Sequence, residues 1–257
     1  MSKTKANKPA QFFDARAPGY RESVSSDPFL HYFHYQRLES AIEGQLLEGK
    51  RLLDIGAGTG ILYDFLQQEG IQADYQACDI SGQMLAHSRI PPNRRHLGRA
   101  SELFETAPGF DGIFMLGLST YLSLSELQNL LEFCSGKLNP GGFIAVSFTH
   151  RKSLDFRLRQ LVPTRWIKIG VLGSGLKIAA YSLKQVPVPP TLLPEKTHWL
   201  NQTVPFINRL LPRLSVFFAK IRKRILPGFL LPFFSSDFLL ILRKKTGGIS
   251  GSDSFSA

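Results

Sequence analysis

The chain is poor in cysteine and has no long apolar run, and each shortage excludes a class of protein. Among its 257 residues only Cys78 and Cys134 are cysteines. Two are too few for a disulfide framework or a cysteine-ligated metal site, so we expect buried thiols in a reducing compartment. No apolar stretch approaches the roughly 20 residues needed to cross a bilayer. The first ten residues are polar and basic with no apolar stretch after them, so we expect no secretory signal.

Acidic residues are scarce in the C-terminal part of the chain. Residues 1–150 contain 13 Lys and Arg and 16 Asp and Glu, whereas residues 151–257 contain 18 and 4. The formal net charge of +11 at pH 7 therefore comes from the second range. This asymmetry indicates an anionic partner, either a membrane surface or a nucleic acid.

A glycine-rich stretch at 52–60, LLDIGAGTG, is the most informative feature that is present. A leucine-rich run ends in Asp54, three glycines alternate with small residues, and an amphipathic pattern follows, which predicts a strand, a tight turn and a helix. Glycine permits positive φ and a close approach of the backbone to a ligand. A carboxylate beside this turn would repel the pyrophosphate that the motif G-x-G-x-x-G binds, but it suits a ligand with an ammonium group.

A second acid lies at the distance that a nucleoside site requires. Asp79 closes the strand-like run 75–78 and follows Gly60 by 19 residues. In a βαβ unit this spacing brings an acid at the end of the second strand onto the ribose hydroxyls of a nucleoside at the first turn. The alternative is that Asp79 is an exposed cap of the helix that begins near Ser81.

These elements resemble motif I of the class I S-adenosylmethionine-dependent methyltransferases, and D-I-S-x-x-M at 79–84 resembles the motif that follows it. Later matches are the strand FDGIFML at 110–116 and the turn LNPGG at 138–142, so the resemblance covers about residues 12–148. It implies an α/β fold, a Rossmann-like, doubly wound sheet of seven mostly parallel strands with an antiparallel final strand. It also implies S-adenosylmethionine as the cofactor.

The resemblance further implies which residues hold the cofactor. The acid at 79 would bind ribose, and the apolar residues after it would border the adenine. Many relatives have an acid near Ala100 that binds the adenine amino group, so backbone groups or Ser101 would have to do this here. The implied cofactor-binding residues are Asp54, Ile55, Gly56, Ala57, Gly58, Gly60, Asp79, Ile80, Met84, Ser101 and Leu116.

The N-terminal segment FFDARAPGY at 12–20 resembles the F-D-x-x-A-x-x-Y opening of small-molecule methyltransferases, including quinone-ring and Mg-porphyrin types. In those proteins the tyrosine, here Tyr20, closes over the methionine end of the cofactor. An aromatic helix should follow to about residue 47, with side chains that either line the acceptor pocket or pack on the core. These are His31, Tyr32, His34 and Tyr35.

A general base is needed only if the acceptor holds a proton at neutral pH, and a carboxylate acceptor would need none. His150 follows the fifth strand at the edge where ligands bind in open α/β sheets, and it is the leading candidate. Its alternative role is that of an ordinary loop histidine. Tyr20 and His34 are weaker candidates.

The C-terminal part is longer than the family scheme requires. Prolines and glycines interrupt 151–194, which we expect to cover the substrate. Apolar residues recur at helical spacing among cations at 213–225, and an apolar, proline-broken segment follows to 234. Together they suit an interfacial membrane anchor. The alternatives are a helix packed on the sheet, a sixth strand at 214–218, or a nucleic-acid surface.

The predicted organisation runs from an N-terminal lid to a disordered tail. Its parts are a lid and helix at 1–49, a cofactor-binding core at 50–150, a cap or membrane-contact region at 151–235, a final strand at 236–246 and a Gly/Ser-rich tail at 247–257.

The leading functional hypothesis is methyl transfer to a lipophilic or membrane-derived small molecule, of quinone-precursor, porphyrin, pigment or lipid-linked glycan type, in the cytoplasm or on its membrane face. The alternative acceptor is RNA or another anionic polymer. Against it, the segment 116–121 lacks the N/D-P-P-aromatic tetrad of base amino methyltransferases, and the basic part has no recognised RNA-binding motif. The third hypothesis is a cofactor-binding regulator without activity. The sequence fixes neither the acceptor nor the oligomeric state.

Overall fold

The structure, a computed structural model, describes residues 8–161, 176, 178–202 and 211–246. The tail at 247–257 that is predicted to be disordered lies outside these residues, as does part of the predicted cap. In the described part of the chain no helix has both the length and the apolar character needed to cross a membrane.

Seven strands form one mixed sheet in the order β3-β2-β1-β4-β5-β7-β6. The first five strands are parallel to one another, and β7 is antiparallel to both β5 and β6. This confirms the predicted fold class. The strands are β1 Arg51–Ile55, β2 Asp74–Asp79, β3 Arg95–Leu97, β4 Phe110–Met115, β5 Leu138–Thr149, β6 Leu192–Gln202 and β7 Ser235–Lys244.

Alternate residues of the strands face two hydrophobic cores, one on each side of the sheet. Along β1, Leu53 and Ile55 belong to one core, whereas Leu52 belongs to the other. Burial on both faces explains why these strands are continuously apolar, as is usual where helices cover both sides of a parallel sheet.

Helices cover the sheet and several begin at caps that can be read from the sequence. The helices are α1 Lys8–Ser26, α2 Pro28–Ile42, α3 Ile61–Gln68, α4 Gly82–Ala86, α5 Ala100–Leu103, α6 Leu124–Lys137, α7 Leu154–Leu161, α8 Pro212–Ile225 and α9 Leu231–Phe234. Asp27 caps α2 by accepting hydrogen bonds from the N–H groups of Phe29 and Leu30. At α6, Ser123 and Glu126 form a reciprocal capping box.

One of the alternatives for the C-terminal part is wrong. Residues 214–218 lie in α8 and are not a strand. The sixth strand is instead Leu192–Gln202, which lies inside the range 151–235 that is predicted as a cap. The sequence does not indicate this strand because only its two ends, such as Leu192 and Leu200, are buried, while Glu195 and Lys196 are exposed at the edge of the sheet.

Candidate active site

A cavity of about 1220 Å³ opens at the carboxyl ends of the parallel strands. The turn after β1, the ends of β2 and β4, and the last residues of β5 form its floor, while α1 and α2 contribute to its walls. Open α/β sheets bind their ligands at this edge. The cavity also extends past β5 to the beginning of β7.

The glycine turn has the backbone conformation that the sequence predicts. Gly56, Gly58 and Gly60 have φ angles of 75°, 56° and 75°. Positive φ is the region that favours glycine. A side chain at Gly60 would also meet Ile90 at 3.0 Å. Gly60 is thus the N-cap of α3 and lies close to Ile90, and it is not one of the described residues that line the cavity.

The other ten residues predicted to hold the cofactor all line this one cavity. They are Asp54, Ile55, Gly56, Ala57, Gly58, Asp79, Ile80, Met84, Ser101 and Leu116. Ala100, where relatives carry an acid, lines it as well.

Asp79 holds the turn after β1 and the turn after β2 together. Its Oδ2 accepts a hydrogen bond from the Gly58 N–H at 2.8 Å, and its Oδ1 accepts one from the Ser81 N–H at 2.8 Å. The cap of α4 is Ser81, whose hydroxyl accepts from the Met84 N–H at 3.1 Å, and Asp79 is buried. The exposed-cap alternative for Asp79 is therefore wrong. Burial raises the pKa of Asp79 and these backbone donors lower it.

Asp54 is buried at the end of β1 with its carboxylate hydrogen-bonded to a tyrosine. The Tyr75 hydroxyl donates to Asp54 Oδ2 at 2.6 Å. Burial raises the pKa of Asp54 to about 7, against the lowering effect of that hydrogen bond, and the charge of Asp79 raises it further. A carboxyl group with this pKa gains and loses its proton near neutrality, and a cation bound in the cavity would favour its charged form.

Arg37 of α2 is a buried cation on the cavity wall that the sequence analysis did not select. Its guanidinium stacks on the Phe33 ring at 4.3 Å. Its Nη1 would lie 3.0 Å from a Cβ at Gly117, just beyond β4. Its Nε is buried and has no hydrogen-bond partner among the described residues. Such a guanidinium suits a carboxylate ligand. The only sign of this role in the sequence is that Arg37 is a single cation in an aromatic helix.

Residues 53–144 match the family model described as a methyltransferase domain. The match identifies a methyltransferase domain at residues 53–144. Two ubiquinone biosynthesis O-methyltransferases are similar to this chain. The one from Nitrobacter winogradskyi is 27% identical to it over 132 residues, and the one from Bradyrhizobium sp. is 27% identical over 115 residues. The matches cover 48% and 44% of this chain and 49% and 45% of the relatives, so the chain spans about half the length of the curated relatives it matches.

Solved methyltransferases share the fold. An N-methyltransferase from Bradyrhizobium japonicum in complex with S-adenosylhomocysteine has a TM-score of 0.58 at 14% identity, covering 93% of this chain and 99% of the other. A magnesium protoporphyrin IX methyltransferase from Synechocystis, also with bound S-adenosylhomocysteine, has a TM-score of 0.60 at 13% identity, covering 92% and 98%. The cofactor of this class of domain is S-adenosylmethionine.

Hydrogen bonds and an ion pair hold helix α1 against the rest of the domain. The Ser81 hydroxyl donates to Asp14 Oδ1 at 2.6 Å, and the Gln83 N–H donates to the same oxygen at 3.1 Å. Arg21 donates to the Thr59 carbonyl at 2.6 Å and forms an ion pair with Asp64. These contacts join α1 to the turns after β1 and β2 and to α3.

Tyr20 of α1 and His34 of α2 both line the cavity. Their rings meet edge to face with centroids 6.3 Å apart. Burial raises the pKa of Tyr20. Burial also lowers the pKa of His34 to about 3, so His34 is neutral at pH 7 and is a weak base.

His150, the leading candidate for a general base in the sequence, directly follows β5. It is buried, its ring packs against Trp199 and Phe238 with centroids 5.2 and 5.6 Å away, and it is not among the described residues that line the cavity. Its Nδ1 is 3.2 Å from the Ser235 carbonyl oxygen. The backbone after β5 pairs with Ser236 and Tyr181, and the His150 ring lies against the core residue Phe238. A role for His150 as general base stays a prediction.

Proposed function

We propose that this chain transfers a methyl group from S-adenosylmethionine to a lipophilic small molecule at a membrane surface. The observation that carries the proposal is the single cavity that joins the turn after β1 to an aromatic extension. The aromatic residues that line it are Phe13, Tyr20, Phe29, Phe33, Tyr121, Phe148 and Phe156. Its volume of about 1220 Å³ exceeds that of a usual single-ligand pocket, roughly 300–1,000 Å³, and suits two ligands bound together.

The cavity wall offers one partner for each part of the cofactor. Asp79 would accept hydrogen bonds from the ribose hydroxyls, and Ser101 would face the adenine. Asp54 would bind the ammonium group and Arg37 the carboxylate of the methionine part. When bound, the cofactor supplies an activated methyl group, so the residues of the chain have to position the acceptor in line and exclude water.

A surface formed by the exposed residues of 211–233, here called the membrane-contact surface, supports the membrane part of the proposal. Helix α8 buries the small residues Ser215 and Ala219 against the protein, while Phe217 is 57% exposed and Ile225 is 73% exposed. A helix that serves the core would do the reverse. Seven of the thirteen large apolar residues that are exposed in the described chain lie here, namely Leu211, Leu214, Phe217, Phe218, Ile225, Phe229 and Phe233.

Exposed cations accompany these apolar side chains. Arg213, Lys220 and Arg224 lie on α8 with exposed side chains. Arg222 is stacked on the Phe234 ring at 5.3 Å. Apolar rings that enter the acyl boundary and cations beside anionic headgroups are the two parts of an interfacial anchor, with each cation worth about 1 kcal/mol.

Titration of S-adenosylmethionine into the protein by calorimetry, with and without anionic liposomes, tests the proposal. We expect the protein to bind S-adenosylmethionine with micromolar affinity and to float with anionic liposomes. The double variant Phe217→Ser and Phe229→Ser should lose at least tenfold in liposome affinity, because both rings are exposed and would enter the membrane. Leu46→Ser is the matched control, since Leu46 is 88% exposed outside the membrane-contact surface.

Each half of the proposal has its own contradicting outcome. Absence of cofactor binding would contradict the methyltransferase activity. Binding to RNA in a gel shift, with no binding to liposomes, would favour the anionic polymer as the acceptor. Cofactor binding without turnover of any lipophilic acceptor would favour the regulator.

The proposed place of the ammonium group predicts a proton release. In the protein without cofactor the pKa of Asp54 is about 7. A nearby cation favours the charged carboxylate, so binding of the cofactor should lower this pKa and release a proton. Affinity should therefore fall as pH drops below about 7, approaching tenfold per pH unit. Calorimetry in buffers of different ionisation enthalpy measures the release, and Asp54→Asn should abolish it. Affinity that does not change from about pH 8 to about pH 6 would contradict this placement.

A further inference from the structure

The part of the cavity farthest along the sheet from the glycine turn is lined by polar residues of β6 and β7. Asn201 lies at the end of β6, and Ser236 and Asp237 lie at the beginning of β7. All three are buried and all three line the cavity. In the sheet, Asp237 is paired with Thr149 of β5 on one side and with Leu200 of β6 on the other.

A chain of hydrogen bonds orients these groups. The Asn201 N–H donates to Gln36 Oε1 at 2.9 Å, and its Nδ2 donates to the Ser236 hydroxyl at 2.6 Å. The Ser236 hydroxyl in turn donates to Asp237 Oδ2 at 2.5 Å. The carboxylate is thus held in place by neutral donors.

The same residues carry acceptors at this end of the cavity. Asn201 Oδ1 is buried and has no hydrogen-bond partner among the described residues. Burial raises the pKa of Asp237, while the charge of Arg37 and the bonds from Ser236 and Asn201 lower it. A buried acceptor without a donor is costly, and a ligand that donates a hydrogen bond would remove this cost.

We propose that Asn201, Ser236 and Asp237 form the acceptor subsite, and that this subsite takes a neutral hydroxyl of the phenol or enol class. The inference rests on the proposed function and narrows it. A carboxylate acceptor is disfavoured here, because its negative charge would face Asp237 and the unpaired oxygen of Asn201. A neutral hydroxyl can donate to either group.

The arrangement gives the acceptor proton a destination. The hydroxyl oxygen forms a bond to the methyl carbon, the carbon–sulfur bond of the donor breaks with its electron pair going to sulfur, and the hydroxyl proton passes to the Asp237 carboxylate. Asp237 is then the general base of the reaction, a role for which His150 was the leading candidate.

A matched pair of small probes tests the subsite without relying on turnover. The probes are 4-nitrophenol, whose phenolate absorbs visible light, and 4-nitroanisole, which lacks the O–H group. In the complex with S-adenosylhomocysteine, the neutral phenol should bind about tenfold more tightly than the ether, since it makes a hydrogen bond to a charged group. The bound phenol should also ionise at a higher pH than the free phenol, because the Asp237 carboxylate repels the phenolate.

Asp237→Asn should reduce the preference for the phenol to threefold or less and abolish the rise in its ionisation pH. Asp74→Asn is the control, since it removes a negative charge from an exposed residue at the start of β2 and should leave both effects intact. Thermal denaturation checks that each variant is folded.

The outcomes separate this inference from the proposed function. Equal affinity for the two probes, no binding of either probe, or unhindered binding of the phenolate would overturn the subsite if S-adenosylhomocysteine still binds. Failure of S-adenosylhomocysteine itself to bind would overturn the proposed function as well. If Asp237 were only a counter-ion of Arg37, Asp237→Asn would change the affinity for S-adenosylhomocysteine and keep the preference for the phenol.

Discussion

Replacing Asp79 by alanine should weaken the binding of S-adenosylhomocysteine at least 100-fold. The carboxylate would bind the ribose. It also accepts hydrogen bonds from the N–H groups of Gly58 and Ser81, and these bonds hold the turns after β1 and β2 in place. Hydrogen bonds to a charged group contribute about 1.5–3 kcal/mol each, so the loss of two or more such bonds corresponds to about 3–6 kcal/mol. The turns after β1 and β2 would also no longer be connected through Asp79, so their N–H groups would be less well oriented towards the cofactor.

Calorimetric titration of the variant measures this loss. Asp74→Asn again serves as the control, because Asp74 belongs to the same strand but lies at its other end. An Asp79→Ala protein that is folded and binds within about tenfold of the wild type would show that the carboxylate serves only the turns, and that the ribose is held elsewhere.

Replacing Arg37 by methionine should weaken the binding of S-adenosylhomocysteine by about 30- to 100-fold, or ~2–3 kcal/mol. The guanidinium is buried beside Gly117 and its Nε has no partner among the described residues, so it is already placed for a carboxylate. The effect should depend on the carboxylate of the ligand. Methionine keeps an unbranched apolar stem against Phe33 and removes only the charged group.

Comparison with 5′-methylthioadenosine, which has no amino acid carboxylate, isolates the contribution of Arg37. The variant should bind this smaller ligand within about threefold of the wild type, because Arg37 makes no bond to it. A loss of affinity that is equal for both ligands would show that Arg37 supports the shape of the cavity, and would contradict its assignment to the carboxylate.

The cofactor side of the cavity could be predicted from the sequence because short segments determine it. The glycine turn depends on local backbone preference, and the spacing between Gly60 and Asp79 reflects one βαβ unit. Both are properties of neighbouring residues. The positions of Gly56, Gly58 and Asp79 therefore followed from the chain alone.

The acceptor side could not be predicted in the same way because distant segments meet there. The direction of the His150 ring depends on where β7 pairs with β5, and Asp237 enters the cavity only through that pairing. Arg37 gives no local pattern, since a single cation in a helix usually faces water. Periodicity predicted helix α8, but it did not predict that Phe217 would face outward and Ala219 inward.

The position of β7 between β5 and β6 has a consequence for the order of folding. The strands of the glycine turn and of Asp79 lie within residues 51–79, whereas β7 begins at Ser235. During synthesis the binding half of the cavity can form early from short-range contacts, but β6 has no neighbour until β7 has left the ribosome and joined β5 across about 90 residues of chain. The nascent protein therefore gains the shape that holds a cofactor before it gains the shape that selects an acceptor.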